Sequence, residues 1–186
     1  MRIIVAITGA SGSVITQRLL NSLKPHEVHL VISRAAERVM AHELTDQCLP
    51  ASFRYSETDI DACIASTSFI VDAMTVAPCS MKTLAGIAHG YAENLIVRAA
   101  ENTLRMGRRL VLVPRETPLS LAAIENMRIA KLAGAIILPP SVAYYHRPRT
   151  VDDITDFVVG KILDALGVEH DLYQRWQGPA YLAAIE

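Results

Sequence analysis

RIIVAITGASGSVITQRLL, residues Arg2–Leu20, opens the chain. Its first part, Ile3-Ile4-Val5-Ala6-Ile7, is a β-branched apolar run, the pattern of a strand buried on both faces. Thr8-Gly9-Ala10-Ser11-Gly12-Ser13 follows, and then apolar Val14, Ile15, Leu19, Leu20 and Leu23 set out a helical period. Strand, glycine turn and helix begin a parallel α/β unit. Glycines let the backbone bend tightly and approach a ligand, and the first helical N–H groups favour an anion at the turn. Ser11 and Ser13 add hydroxyls, which serve equally well as helix caps. The turn lacks the full G-x-G-x-x-G spacing, and Ser33 stands where a dinucleotide site places an acidic residue. The stretch therefore points to a mononucleotide or another phosphate.

The same alternation continues outward. Glu27–Ser33 is a second strand with Ser33 at its ligand-facing end. Ala35–Leu44 is a helix with Val39 and Met40 inward and Glu43 near its end. Thr45–Asp59 lacks periodicity and reads as a loop, and Ile60–Ala65 as a short helix. A third buried run, Phe69–Ala77, leads into Pro78-Cys79-Ser80-Met81-Lys82-Thr83 and a helix over Leu84–His89. This second strand-turn-helix offers Ser80, Lys82 and Thr83 as donors to an anion. Lys82 equally fits a solvated charge, and Cys79 reads as packed, with no base to pair it. Ala92–Arg105 is a helix that carries Arg98 and Arg105 on one side. That spacing suits a phosphate clamp and two surface charges equally well. Leu110–Val113 is a strand that runs into Pro114-Arg115-Glu116-Thr117-Pro118, where two prolines bracket an Arg-Glu pair. Leu119–Ala133 is a helix ended by Gly134, and Ala135–Leu138 is the last core strand. A polar-aromatic loop, Ala143–Arg149, precedes a final helix that starts at Thr150 or Asp152 and carries Lys161. Trp176, the only tryptophan, sits in the tail beside Arg175, a place that suits either an anchor held by burial or a cover for an active site or a neighbouring subunit.

The 186 residues suffice for one domain with a sizeable core. With 18 basic and 19 acidic residues, the net charge of −1 gives no electrostatic case for nucleic acid or an anionic membrane. Hydrophobic residues make up 51% and aromatics only 5%, which fits helices packed on an aliphatic sheet. No apolar run reaches the roughly 18 residues a membrane span needs. The chain starts directly in a strand without a signal peptide, and Cys48, Cys63 and Cys79 form no C-x-x-C pair. A reduced, cytoplasmic protein is expected.

Taken in order, several segments resemble the UbiX-type flavin prenyltransferases. They are TGASG at Thr8–Gly12, APCSMKTLAGIAHGYAENLIVRAA at Ala77–Ala100, LVLVPRETPLSL at Leu110–Leu121 and ENM at Glu125–Met127. GAIILPP at Gly134–Pro140, YYHRP at Tyr144–Pro148, VDDITDFVVGKILDALG at Val151–Gly167 and RWQG at Arg175–Gly178 complete the set. PCSMKTLAGI and LVPRETPL are the specific signatures. The resemblance implies a single-domain Rossmann or flavodoxin-like α/β fold over 1–186, with a parallel sheet and helices on both faces. It also implies a dodecamer with sites between subunits, in which the tail, 168–186, packs on a neighbour.

The resemblance further implies that reduced FMN receives a dimethylallyl group from dimethylallyl monophosphate at N5 and C6, without a metal. Prenylated FMN then serves a UbiD-type decarboxylase. By position, Gly9, Ala10, Ser11, Ser33, Ser80, Met81, Lys82, Thr83 and Arg115 would bind FMN. Tyr145 and Lys161 would bind the prenyl phosphate, with Arg98 and Arg105 nearby. Glu116 would protonate the leaving phosphate, Ser11 and Glu43 would handle the proton lost on ring closure, and Trp176 would lie against the prenyl chain. The chain departs from the family pattern at Ile15, Thr16, Arg105, Val142 and Lys161. A cysteine decarboxylase of the wider superfamily, a non-catalytic FMN carrier and a direct decarboxylase are the competing expectations. The ensemble of Ser11, Glu43, Arg98, Glu116, Tyr145 and Trp176 speaks against mere storage.

Overall fold

In the computed structural model, which describes residues 1–46 and 48–178, six parallel strands form one sheet. The strands are β1 (Arg2–Ile7), β2 (Glu27–Ile32), β3 (Phe53–Ser56), β4 (Ala73–Cys79), β5 (Arg109–Pro114) and β6 (Ile136–Ile137). Their spatial order is β3-β2-β1-β4-β5-β6, so the winding reverses between β1 and β4. In an open parallel sheet, that reversal leaves a crevice at the strand C-termini.

Alternation along β1 divides the core. Ile3, Val5 and Ile7 pack toward α1 (Ser13–Ser22), α2 (Arg34–Glu43) and α6 (Val151–Leu166). Ile4 and Ala6 pack toward α3 (Met81–His89), α4 (Leu95–Arg105) and α5 (Leu121–Leu132). Both faces of β1 are covered, which accounts for its unbroken apolar run.

Several boundaries differ from the sequence reading. The buried stripe of α1 is Ser13, Thr16, Leu19 and Leu20, whereas Val14 is exposed. Thr16 takes the inward place because its hydroxyl donates to the Ala77 carbonyl at the end of β4. In α2, Ala36 and Met40 are buried and Val39 only half-buried. β3 lies inside the segment read as a loop. As an edge strand it leaves Phe53, Arg54 and Ser56 exposed, so its residues carry no core pattern. Of the expected helix at Ile60–Ala65, only a 3₁₀ turn at Cys63–Ala65 forms. β4 begins at Ala73, not Phe69. Asp72 exchanges hydrogen bonds with Arg2 before the strand starts.

Candidate functional site

The crevice is built from two turns. After β1 come Thr8–Gly12, and after β4 comes Ser80, which caps α3 by accepting from the Thr83 N–H. Helix α3 starts three residues earlier than the sequence reading, so Met81, Lys82 and Thr83 form its first turn. Buried Thr8 stitches the turns together. Its hydroxyl donates to the Pro78 carbonyl at 2.9 Å and accepts from the Ser80 N–H at 2.7 Å.

Between these turns and α2 lies an open cleft of about 410 Å³. Gly9, Ser33, Ser80, Lys82 and Thr83 line it, as expected for the flavin site, together with apolar Ala35 and Val97. Gly9 has a steric reason to be glycine: a Cβ there would lie 2.6 Å from the Ala35 Cβ. Ser33 lies just beyond β2 and caps α2 by accepting from Ala36 N–H. The Lys82 ammonium is 3.9 Å from Glu93 and its side chain is largely exposed. The cleft is of ordinary size for a small ligand. Its hydroxyls, its lysine and the start of a nine-residue helix suit a phosphate ester, and its apolar wall suits a flat ring. The residues present therefore fit a flavin mononucleotide.

The first turn is finished differently. Gly12, at φ 121°, precedes α1 and provides no side-chain cap. The Glu43 carboxylate, at the end of α2, supplies it from outside, accepting from Gly12 N–H at 3.0 Å and Ser13 N–H at 2.8 Å. Burial acts to raise the Glu43 pKa. Hydrogen bonds from the Ser11 hydroxyl and the Ser13 and Gly12 amides outweigh it, so the carboxyl lies below its usual range. Neither Ser11 nor Ser13 caps the helix, and the anion that the turn favours is an internal one.

Ser11 also accepts from Arg115 Nε through its carbonyl, at 3.4 Å. Ser11, Glu43 and Arg115 thus meet at the first turn, and none of the three lines the cleft. Glu116 follows Arg115 on the exposed loop, where its carboxylate accepts from Thr117 N–H. Cys79 is fully buried, and burial pushes its thiol up to about 12, which agrees with a packing role.

A third group stands on α6 and the segments around it. Tyr145 meets Trp176 edge-on at 5.6 Å and Phe157 at 5.9 Å. The Lys161 ammonium lies over the rings of Tyr173 and Phe157, and the adjacent Tyr173 hydroxyl raises its pKa. Trp176 is 67% exposed, so it is not the buried anchor that its terminal position suggests. The described tail, 168–178, packs on α6 of its own chain through Tyr173 and Arg175. The expected neighbour contact for residues 179–186 lies outside the described residues.

Arg98 and Arg105 do not join the cleft lining. Both pair with Glu101, which stands between them on α4, and Arg98 Nε also donates to the Ala65 carbonyl. Ala10 and Met81 sit in the two turns without lining the cleft. Glu57 and Asn94 are in the lining and were missed. Glu57 accepts from the Arg34 N–H at the start of α2 and from Asn94 Nδ2. Asn94 had a readable signal, since it precedes an apolar run and caps α4. Glu57 had none, because the edge strand before it was not recognisable. Among the described residues, no cluster of His, Cys, Asp and Glu is arranged to hold a metal ion, and no helix is long and apolar enough to cross a membrane.

The flavoprotein family model matches residues 1–163. The flavin prenyltransferase UbiX of Methanocaldococcus jannaschii is 44% identical over 181 residues, covering 95% of this chain and 98% of that protein. The mitochondrial flavin prenyltransferase PAD1 of Saccharomyces cerevisiae is 46% identical over 183 residues, covering 95% and 76%. Among solved structures, a dodecameric FMN-dependent UbiX-like decarboxylase from Escherichia coli O157:H7 superposes with a TM-score of 0.92. It is 45% identical and covers 96% of this chain and all of that one. AnUbiX (PadA1), in complex with FMN and dimethylallyl pyrophosphate, gives 0.90 at 39% identity, covering 95% and 97%. The FMN-dependent cysteine decarboxylase TvaF, at 17% identity and 0.62, shares the fold alone. The chain belongs to the flavoprotein family and, within it, to the UbiX-type flavin prenyltransferases.

Proposed function

We propose that the protein joins a dimethylallyl group from dimethylallyl monophosphate to N5 and C6 of reduced FMN. The product, prenylated FMN, is for use by a UbiD-type decarboxylase, and the working form is a homo-oligomer, a dodecamer. The observation that carries the reading beyond flavin storage is the Ser11–Glu43 pair in the first turn, the turn whose Gly9 lines the cleft. Besides capping α1, Glu43 is held below the usual carboxylate range next to Ser11, which leaves it ionised to accept a proton at ring closure.

FMN supplies the nucleophilic ring. In this reading the chain does the rest. Ser33, Ser80, Met81, Lys82 and Thr83 hold its phosphate at the start of α3, and Gly9, Ala10 and Ser11 line the ring. Arg115, fastened to the Ser11 carbonyl, closes that side. Lys161 and Tyr145 receive the prenyl phosphate, joined in the assembly by Arg98 and Arg105. Cations there stabilise the departing phosphate electrostatically. Glu116 gives it a proton, and the faces of Trp176 and Tyr145 tolerate allylic positive charge. Ser11 passes the proton released on ring closure to Glu43. No step moves electrons through the protein.

Incubation of the protein with reduced FMN and dimethylallyl monophosphate, followed by mass spectrometry of the extracted flavin, tests this. A flavin heavier by one prenyl unit is expected. Unmodified FMN from correctly folded protein would leave only a flavin carrier. Glu116→Gln should slow the first bond formation while retaining FMN; loss of FMN from that variant would remove Glu116 from the acid role.

A further inference from the structure

The tail has a seat built into α6. Asp164, one turn beyond Lys161, takes both guanidinium nitrogens of Arg175, at 2.7 and 3.1 Å, and the Tyr173 hydroxyl at 2.8 Å. His170 Nε2 lies 3.1 Å from the same carboxylate. Three tail residues thus converge on one side chain. Four residues earlier on the same helix is Gly160. A Cβ there would lie 2.6 Å from both the His170 and Tyr173 rings. The helix is shaved flat where the tail crosses it, and its next turn carries the fastening.

Seating has two consequences for neighbouring groups. Tyr173 packs edge-on against Phe157 at 5.0 Å and lies beneath the Lys161 ammonium at 5.0 Å. Trp176, three residues on, rests against Tyr145. Seating also settles a competition. Lys161 and Asp164 are three residues apart on one helix, a spacing at which opposite charges pair. Arg175 holds both oxygens of Asp164 in a bidentate clasp. Among the described residues, Lys161 has no carboxylate ion pair, and its charge stays available to another anion.

We propose that Asp164 and Gly160 form a docking seat for residues 168–178, and that the seated tail completes the prenyl-phosphate cup. Asp164 is a positioning residue for that substrate: it places Tyr173 and Trp176, and Arg175, by clasping it, leaves Lys161 unpaired. This rests on the assignment of Tyr145, Lys161 and Trp176 to the prenyl phosphate.

Trp176, the only tryptophan, reports the seating without any turnover. Asp164→Asn and Gly160→Ala should both lower the anisotropy of its emission in the FMN-loaded protein, and Asp164→Glu should restore part of it. In steady-state assays, Asp164→Asn should raise the KM for dimethylallyl monophosphate about tenfold, the scale of a lost charge-assisted contact. Its kcat should fall as well, since Lys161 and Trp176 also meet charge that develops in the transition state, while its FMN dissociation constant stays within about twofold. Unchanged anisotropy in both variants would overturn the seat. Lowered anisotropy with unchanged KM, or FMN affinity falling in step with KM, would overturn the positioning role. If the unaltered protein makes no prenylated flavin, the proposed reaction fails, while the anisotropy still decides the seat.

Discussion

Two helix N-termini meet at the switch point of the sheet, and they are completed in different ways. At α1, the cap is a carboxylate, Glu43, which reaches across from the end of α2 and takes the Gly12 and Ser13 amides. At α3, the cap is the neutral Ser80 hydroxyl, with Lys82 in the first turn and a cleft in front. Helix dipole and free amides favour an anion at both places. The first already contains one, so a second negative group brought there meets repulsion. The second is completed only by something from outside. In the proposed function, one turn is thus a structural joint with a base attached, and the other a receptor for a phosphate ester. The same strand-turn-helix order does not imply the same use; the nearest fixed charge decides.

The largest effect should come from Gly9, which lets α2 close on the cleft. Gly9→Ala forces its new Cβ against Ala35. FMN should be absent from the purified protein, and denaturant melts should show a loss of about 1–3 kcal/mol from overpacking. Next, Ser80→Ala and Lys82→Ala should each weaken FMN binding by roughly tenfold, read by flavin titration. Glu43→Ala should change FMN affinity by less than about threefold while abolishing ring closure. A loss of FMN affinity on Glu43→Ala as large as that on Ser80→Ala would break the contrast between the two caps.

A smaller effect sharpens it from the stability side. The Glu43 carboxyl is held below its ordinary value of 4.5 in the folded protein. Its contribution is therefore present above about pH 4.5 and disappears as pH falls through the lowered folded value. Glu43→Gln should flatten that part of the stability profile, with a loss of roughly 1 kcal/mol at neutral pH, the scale of a helix cap. Thermal melts between pH 7 and pH 3 measure it. A variant with an unaltered acid profile would mean that the α1 cap is not electrostatic.

The legible parts of this molecule are those written in neighbouring residues. β1, β2, β4 and β5 carry β-branched runs stopped by glycine, serine or proline, and the parallel order follows from the alternation with helices. Gly9, Ser33, Ser80, Lys82 and Thr83 lie at strand ends, so their meeting in one cleft follows from topology. β3 was illegible because an exposed edge strand hides no apolar face. The Glu43 cap spans 30 residues and depends on how α2 ends relative to α1. Arg98 and Arg105 show the opposite difficulty. Their spacing was visible, but Glu101 between them takes up both charges in the single chain.

Thr8 has one more implication. Through its hydroxyl and its N–H, it links the turn after β4 to the turn that carries the Ser11–Glu43 pair. In the proposed function, phosphate anchor and proton relay therefore share one block, while the aromatic cup belongs to α6 and the tail. An engineer wishing to enlarge the range of accepted alkyl donors has a natural seam to cut along: the cup is exchangeable, and the block is best left intact.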